Sequence, residues 1–170
     1  AVILPPERDP RLITIRRGGT LSDEHHRLLA LWAADCAQHV LPLFRASRPD
    51  DARPADAITA ARAWAGGVMP MMRARADGGH AMGAARPLQG APRFAAYAAG
   101  QAACVGHVVE HDLGAAAYAI KAVMASSPEP QTTGRTECEW QRTRLPEVVR
   151  DLVLDDRRRR NHLCWDVFTF

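Results

Sequence analysis

The alanine-rich stretch 94–124 constrains the fold more than any other part of the sequence. Alanine is the strongest helix former and fits a pleated sheet poorly, and the larger apolar residues of this stretch recur at helical spacings. We therefore predict a long central helix that starts near Pro92, where proline suits a first turn. Gly100, Gly106 and Gly114 would each cost this helix about 1 kcal/mol relative to alanine, so we expect a neighbouring helix to approach closely there.

The rest of the chain has the same bias, since 47% of its 170 residues are hydrophobic but only 6% are aromatic. The predicted fold class is all-α: a single domain over residues 1–170, built as a bundle of about five to six helices. Ser22 can cap the first helix, because its hydroxyl accepts from free backbone NH groups and two acidic residues follow it. The predicted segments are an extended arm at 1–21, helices at 22–46 and 54–66, a helix from 70 that breaks or bends at 78–79, a linker at 126–134, and helices at 137–144 and 146–160.

Charge and hydropathy argue against nucleic-acid and membrane roles. The 22 basic residues are nearly balanced by 19 acidic ones, giving a formal net charge of +3, and the cations form a run only at 157–160. Polar and charged residues interrupt the stretch 94–124, so it does not resemble a membrane span. Four cysteines without CxxC spacing suggest reduced thiols, and residues 1–6 lack the features of a signal peptide. We expect a cytoplasmic protein.

Two trios of chemically active residues stand out at helical spacing. They are Asp35, Cys36 and His39 on the first helix, and Cys104, His107 and His111 on the central helix. Residues four apart share a helix face, so His107 and His111, with His39 and Asp35, could hold a metal ion. The sequence lacks the extra glutamate of zinc proteases and the carboxylates of di-iron bundles. The alternative is that these side chains are polar anchors, hydrogen-bonded across the core, and that no cofactor is bound.

Two glycine-containing segments could in principle bind phosphate. They are Arg16-Arg17-Gly18-Gly19 and Gly78-Gly79-His80. Neither is followed by the Gly-Lys-Ser/Thr of a phosphate loop, and no GxGxxG pattern opens a helix. We interpret both as turns.

Several segments resemble a family of bacterial, largely actinobacterial, immunity proteins, the family numbered five among those of polymorphic toxin systems. The resembling segments are 13–21, 28–37, 48–54, 61–64, 79–81, 100–102, 111–122 and 144–147, together with His107, Trp140 and Gln141. The resemblance implies a helical, cytosolic protein that protects a cell by binding a cognate protein toxin. It marks eight positions as shared with the family pattern: Trp32, Asp35, Cys36, His80, Gln101, His107, His111 and Tyr118. It assigns no catalytic residue.

Our main hypothesis is therefore an immunity protein rather than an enzyme. The alternative is a helical protein that binds a small molecule or a metal ion, enzymes included, with a His/Cys/Asp pocket between the first helix and the central helix. A third hypothesis is a homo-oligomer. The candidate pocket residues are Trp32, Asp35, Cys36, His39, His80, Gln101, Cys104, His107, His111 and Tyr118.

Overall fold

The computed structural model describes residues 3–169. Within this range the chain forms seven α-helices and three short 3-10 helices, and its only strand-like feature is an isolated bridge between Thr14 and Leu21. The all-α prediction is confirmed, with more helices than the five to six expected. The helices are α1 (Asp23–Arg45), α2 (Arg53–Ala65), α3 (Met71–Ala85), α4 (Gly90–Cys104), α5 (His111–Ala125), α6 (Pro130–Thr143) and α7 (Glu147–Arg160). No helix in residues 3–169 combines the length and apolar character needed to cross a membrane.

The first helix begins as its sequence predicts. The Ser22 hydroxyl accepts a hydrogen bond from the His25 backbone NH at 3.1 Å, and two acidic residues occupy the first turn. The apolar stripe that includes Leu29, Trp32 and Val40 is buried, and α1 packs on α2, α4 and α5. Helix α1 therefore lies at the centre of the bundle.

The predicted long central helix is wrong, because the chain turns at residues 105–110 and forms α4 and α5 instead. These two helices pack on each other. Val105 and Val109 of the turn are buried, and Gly106 lies against the indole of Trp64, where an added Cβ would come within 2.8 Å of the ring. Contacts with distant residues thus stabilise a turn where the local pattern favours a continuous helix.

The break expected at Gly78-Gly79 is also absent, because α3 continues through both glycines. A Cβ on Gly78 would lie 2.8 Å from the carbonyl oxygen of Gly100 on α4. Gly78 and Gly100 therefore let the backbones of α3 and α4 touch, which is the close approach that the sequence predicted at Gly100. The linker expected at 126–134 is also shorter than predicted, because α6 begins at Pro130, and proline is favourable in a first turn.

The N-terminal arm, residues 3–21, contains two 3-10 turns and is fastened to the bundle. Arg8 donates two hydrogen bonds, of 2.7 and 2.8 Å, to the carboxylate of Glu110 in the turn after α4. The buried Arg160 of α7 donates to the carbonyl oxygens of both Ile3 and Glu110 at 3.0 Å. These contacts hold the arm across the end of the bundle that carries the α4–α5 turn.

Candidate functional site

The ten side chains of the expected pocket lie in several environments. The expected pocket residues on α1 include two that form hydrogen bonds to neighbouring helices. Asp35 accepts hydrogen bonds from Arg62 of α2 at 3.0 Å and from Arg144 at 3.4 Å. The indole NH of Trp32 donates to the carbonyl oxygen of Gln141 at 2.9 Å, and burial raises the pKa of the Cys36 thiol. These three residues therefore have partners or surroundings that account for their positions without a ligand.

His39 and Glu137 form a pair at the edge between α1 and α6. The Nδ1 atom of His39 lies 2.9 Å from a carboxylate oxygen of Glu137, and the imidazole stacks on Trp140 with ring centroids 3.6 Å apart. Burial raises the pKa of Glu137, and its bond to His39 opposes that rise. The pair resembles an acid–base dyad, but neither residue lines any of five cavities of about 190 to 580 Å³ in the described chain.

The residues expected on the central helix are also dispersed. Gln101 of α4 and His111 of α5 join the two helices, with the amide oxygen 2.6 Å from Nδ1 of the imidazole. Burial lowers the pKa of His111 to about 4, so this ring is neutral near pH 7 and its Nδ1 is the hydrogen-bond donor. Cys104 is buried where α4 meets α3, and desolvation raises its thiol pKa.

His80 and Tyr118 lie away from both groups. The imidazole of His80 is largely exposed on α3, with its Nδ1 atom 3.9 Å from a carboxylate oxygen of Asp77. Tyr118 belongs to an aromatic cluster with Tyr97 and Trp165. Neither residue contributes to a pocket with the α1 side chains.

The four side chains considered as metal ligands are not brought together. Asp35 faces α2, His39 faces α6, His111 bonds to Gln101, and His107 lies in the turn after α4. Among residues 3–169, no group of three or more His, Cys, Asp or Glu side chains is placed to hold a metal ion. The geometry of the described chain therefore gives these four residues no shared metal site.

A cavity of about 280 Å³, here called the arm cavity, lies between the N-terminal arm, α1, α2, α3 and the α4–α5 turn. Its cationic and aromatic lining consists of Arg8, Arg16, Arg17, His26, Trp64 and His107. Of the ten expected pocket residues, only His107 borders it. Ligand sites are typically concave, partly apolar pockets with a few converging polar groups, and the arm cavity has this character, so we take it as the candidate functional site.

The arginines of the arm cavity differ in their pairing. Arg8 is bound to Glu110, and Arg16 lies 3.1 Å from a carboxylate oxygen of Asp23 at the protein surface. The guanidinium of Arg17 has no hydrogen-bond or ion-pair partner within residues 3–169. The cavity rim therefore carries one uncompensated positive charge.

The floor of the arm cavity is built by aromatic packing. The Nε2–H of the buried His26 donates to the carbonyl oxygen of Val105 at 2.7 Å, and burial lowers the pKa of this histidine. Its ring packs at an angle on Trp64, with centroids 4.6 Å apart, and Trp64 in turn covers Gly106. The site thus depends on residues that are far apart in sequence.

His107 is the most unusual group of the cavity. Its Nδ1 atom is hidden from solvent and has no hydrogen-bond partner in the described chain, although the ring itself is only partly buried. Desolvation lowers the pKa of this histidine, and the positive charges of Arg75, Arg17 and Arg8 lower it further. The surroundings of the ring are therefore electropositive and leave one polar atom unsatisfied.

Sequence reasoning missed most of this site. The segment Arg16-Arg17-Gly18-Gly19 was considered for phosphate binding and interpreted as a turn, and Gly18 does adopt a left-handed turn conformation with φ 95°. The signal that could have drawn attention to it is the pair of adjacent arginines within the family-like segment 13–21. Nothing local indicates that this segment lies over Trp64.

One protein family, described as "Imm-5 like putative immunity protein", has a model that matches residues 19–148. No curated protein and no solved structure matches the chain. The matched region contains the cavity floor, with His26, Trp64 and His107, whereas Arg16 and Arg17 of the rim precede it.

Proposed function

The chain belongs to the Imm-5 like family of immunity proteins, and on this premise we propose that it binds and neutralises a cognate bacterial protein toxin. The match over residues 19–148 is the observation that carries the proposal, because an immunity protein acts on a protein partner. Neutralisation by binding requires a contact surface and no catalytic group or cofactor.

The surface that best supports partner binding surrounds the arm cavity and is here called the cavity face. Val68, in the α2–α3 connection, and Met72, in the first turn of α3, are 80% and 55% exposed. Between them, residues 69–71 line a second cavity of about 190 Å³, which shares Trp64 with the arm cavity. Exposed apolar side chains next to a depression are typical of protein interfaces, and methionine adapts readily to a partner's shape.

Arginines border these apolar residues. Arg16 lines both cavities, Arg17 lines the arm cavity and Arg27 of α1 lines the second cavity. Arginine is enriched among the residues that dominate binding energy, and a cationic rim favours an acidic partner surface. We therefore propose that the toxin presents an acidic patch to the cavity face.

The experiment is to co-express the chain with the toxin encoded beside its gene and to measure cell survival and co-purification. Val68→Asp places a charge in the proposed interface and should weaken toxin binding at least about tenfold, as expected for an interface anchor. Val148→Asp is the matched control, because Val148 is 65% exposed on α7, whereas Val68 lies between Gly67 and Met69, which both line the second cavity.

Protection and binding by the wild-type chain, lost on Val68→Asp and retained on Val148→Asp, would support the proposal and its surface. Equal effects of the two variants would assign the toxin to another face. If the chain neither binds nor protects against any toxin encoded beside it, the proposed function is wrong.

We further propose that the protein acts in the bacterial cytoplasm, as part of a polymorphic toxin system. All four cysteines are buried and unpaired, which suits a reducing compartment. Fractionation of the producing cells tests this location, and recovery of the protein from the periplasm or the medium would contradict it.

A further inference from the structure

We propose that the arm cavity binds a small molecule that carries an oxyanion, a phosphate group, on a compact apolar or planar body. This site does not depend on toxin binding. Its evidence is the charge of the cavity lining, the electropositive surroundings of His107 and the size of the cavity.

The charges that border the cavity are of one sign. The lining contains Arg8, Arg16 and Arg17 and no acidic residue. Glu110 and Asp23 compensate the first two arginines from outside the lining, which leaves Arg17 without a partner among residues 3–169. A planar guanidinium matches the geometry of phosphate and carboxylate groups, so an oxyanion is the ligand that this rim favours.

His107 borders the same cavity and lies in a positive potential. Its Nδ1 atom is shielded from solvent and lacks a partner in the described chain. A nitrogen that water cannot reach is also closed to a ligand oxygen, so His107 contributes through its charge environment and not through this atom. An oxyanion in the cavity would lower the positive potential that Arg75, Arg17 and Arg8 impose on the ring.

The size of the cavity indicates more than a bare ion. At about 280 Å³ it has several times the ~30 Å³ that one water molecule occupies in the liquid, so a single tetrahedral ion would not fill it. Trp64, Met71 and Ile13 provide an apolar wall next to the cationic rim. An anionic group at the rim and a flat body against Trp64 would use both surfaces.

The test is isothermal titration calorimetry of the full chain with inorganic phosphate, with phenyl phosphate and with phenol. Phenyl phosphate should bind more tightly than inorganic phosphate, because its ring can contact Trp64, and phenol should show no measurable binding. Arg17→Gln should weaken phenyl phosphate binding at least about tenfold, as expected when a charge-assisted hydrogen bond is lost.

Arg45→Gln is the matched control. Arg45 is an exposed arginine at the far end of α1, roughly 28 Å along the helix axis from His26 of the cavity floor. Its loss removes the same charge from the protein but should leave the affinity within about twofold, since exposed charges farther apart than a Debye length are largely screened. Both arginines are exposed, so neither variant should unfold the protein, and circular dichroism checks this.

A nitrogen-15 spectrum of the histidine side chains locates the ligand. Phenyl phosphate should shift an imidazole signal that is missing in His107→Gln. Absence of binding by both phosphate probes at millimolar concentration overturns the proposal. Equal weakening by Arg17→Gln and Arg45→Gln also overturns it, because that result indicates a general charge effect.

Discussion

Replacing Gly78 by alanine, and separately its neighbour Gly79, should change the stability of the protein in opposite directions. Both glycines lie inside α3, where alanine is a better helix former by about 1 kcal/mol. A Cβ on Gly79 meets nothing within 4 Å. Gly79→Ala should therefore stabilise the protein by about 0.5 to 1 kcal/mol.

At Gly78 the same helix preference is opposed by a steric clash. The added Cβ would lie 2.8 Å from the carbonyl oxygen of Gly100 and 2.9 Å from the sulfur of Cys104. The oxygen belongs to the backbone of α4, so relief requires the two helices to separate. Excess volume in a packed core typically costs about 1–3 kcal/mol. Because the propensity gain is common to both variants, the difference between them should be about 1–3 kcal/mol.

Urea unfolding followed by circular dichroism at 222 nm measures this difference, and an unchanged m value shows that the comparison is sound. Gly100→Ala should behave like Gly78→Ala, since its Cβ would lie 2.8 Å from the carbonyl oxygen of Gly78. If Gly78→Ala is as stabilising as Gly79→Ala, the two helices do not touch through their glycines and the packing argument is refuted.

Three further predictions concern the arm, the buried histidine and the thiols. Glu110→Gln removes the charge that binds Arg8, so hydrogen exchange should quicken in the arm, and an unchanged exchange rate measured by mass spectrometry would contradict the clamp. The pKa of His111 is lowered from 6.5 to about 4 in the folded state, so its contribution to stability should be lost as pH falls from about 6.5 to 4. Urea unfolding should show a steeper loss of stability over this range for the wild type than for His111→Gln, which lacks this titrating group. Buried carboxyls act in the opposite sense, but they do so in both proteins, so the difference between the two curves reports His111. Parallel curves would exclude the effect. Burial raises the pKa of all four cysteine thiols, so Ellman's reagent should label them only after denaturation, and rapid labelling of the native protein would show that a thiol is exposed.

The candidate site shows where sequence reasoning stops. The spacing of Asp35 and His39 correctly places both on α1, yet they face different partners, Arg62 and Glu137. Periodicity indicates which residues share a helix face but does not say what lies opposite that face. To predict one shared pocket, one must also know which residues lie opposite each helix face, and only the packed bundle shows this.

Local chemistry determined the helical class, the start of α1 at Ser22 and the stripe that it buries, because helix propensity, capping and periodicity act within a few residues. Tertiary contacts decided where the alanine-rich stretch turns and which side chains line the arm cavity. Gly106 could have continued a helix, but Trp64, 42 positions earlier, packs against it and Arg8 binds Glu110 in the same turn. These contacts have no local signature, because their free energy is gained only when distant segments meet.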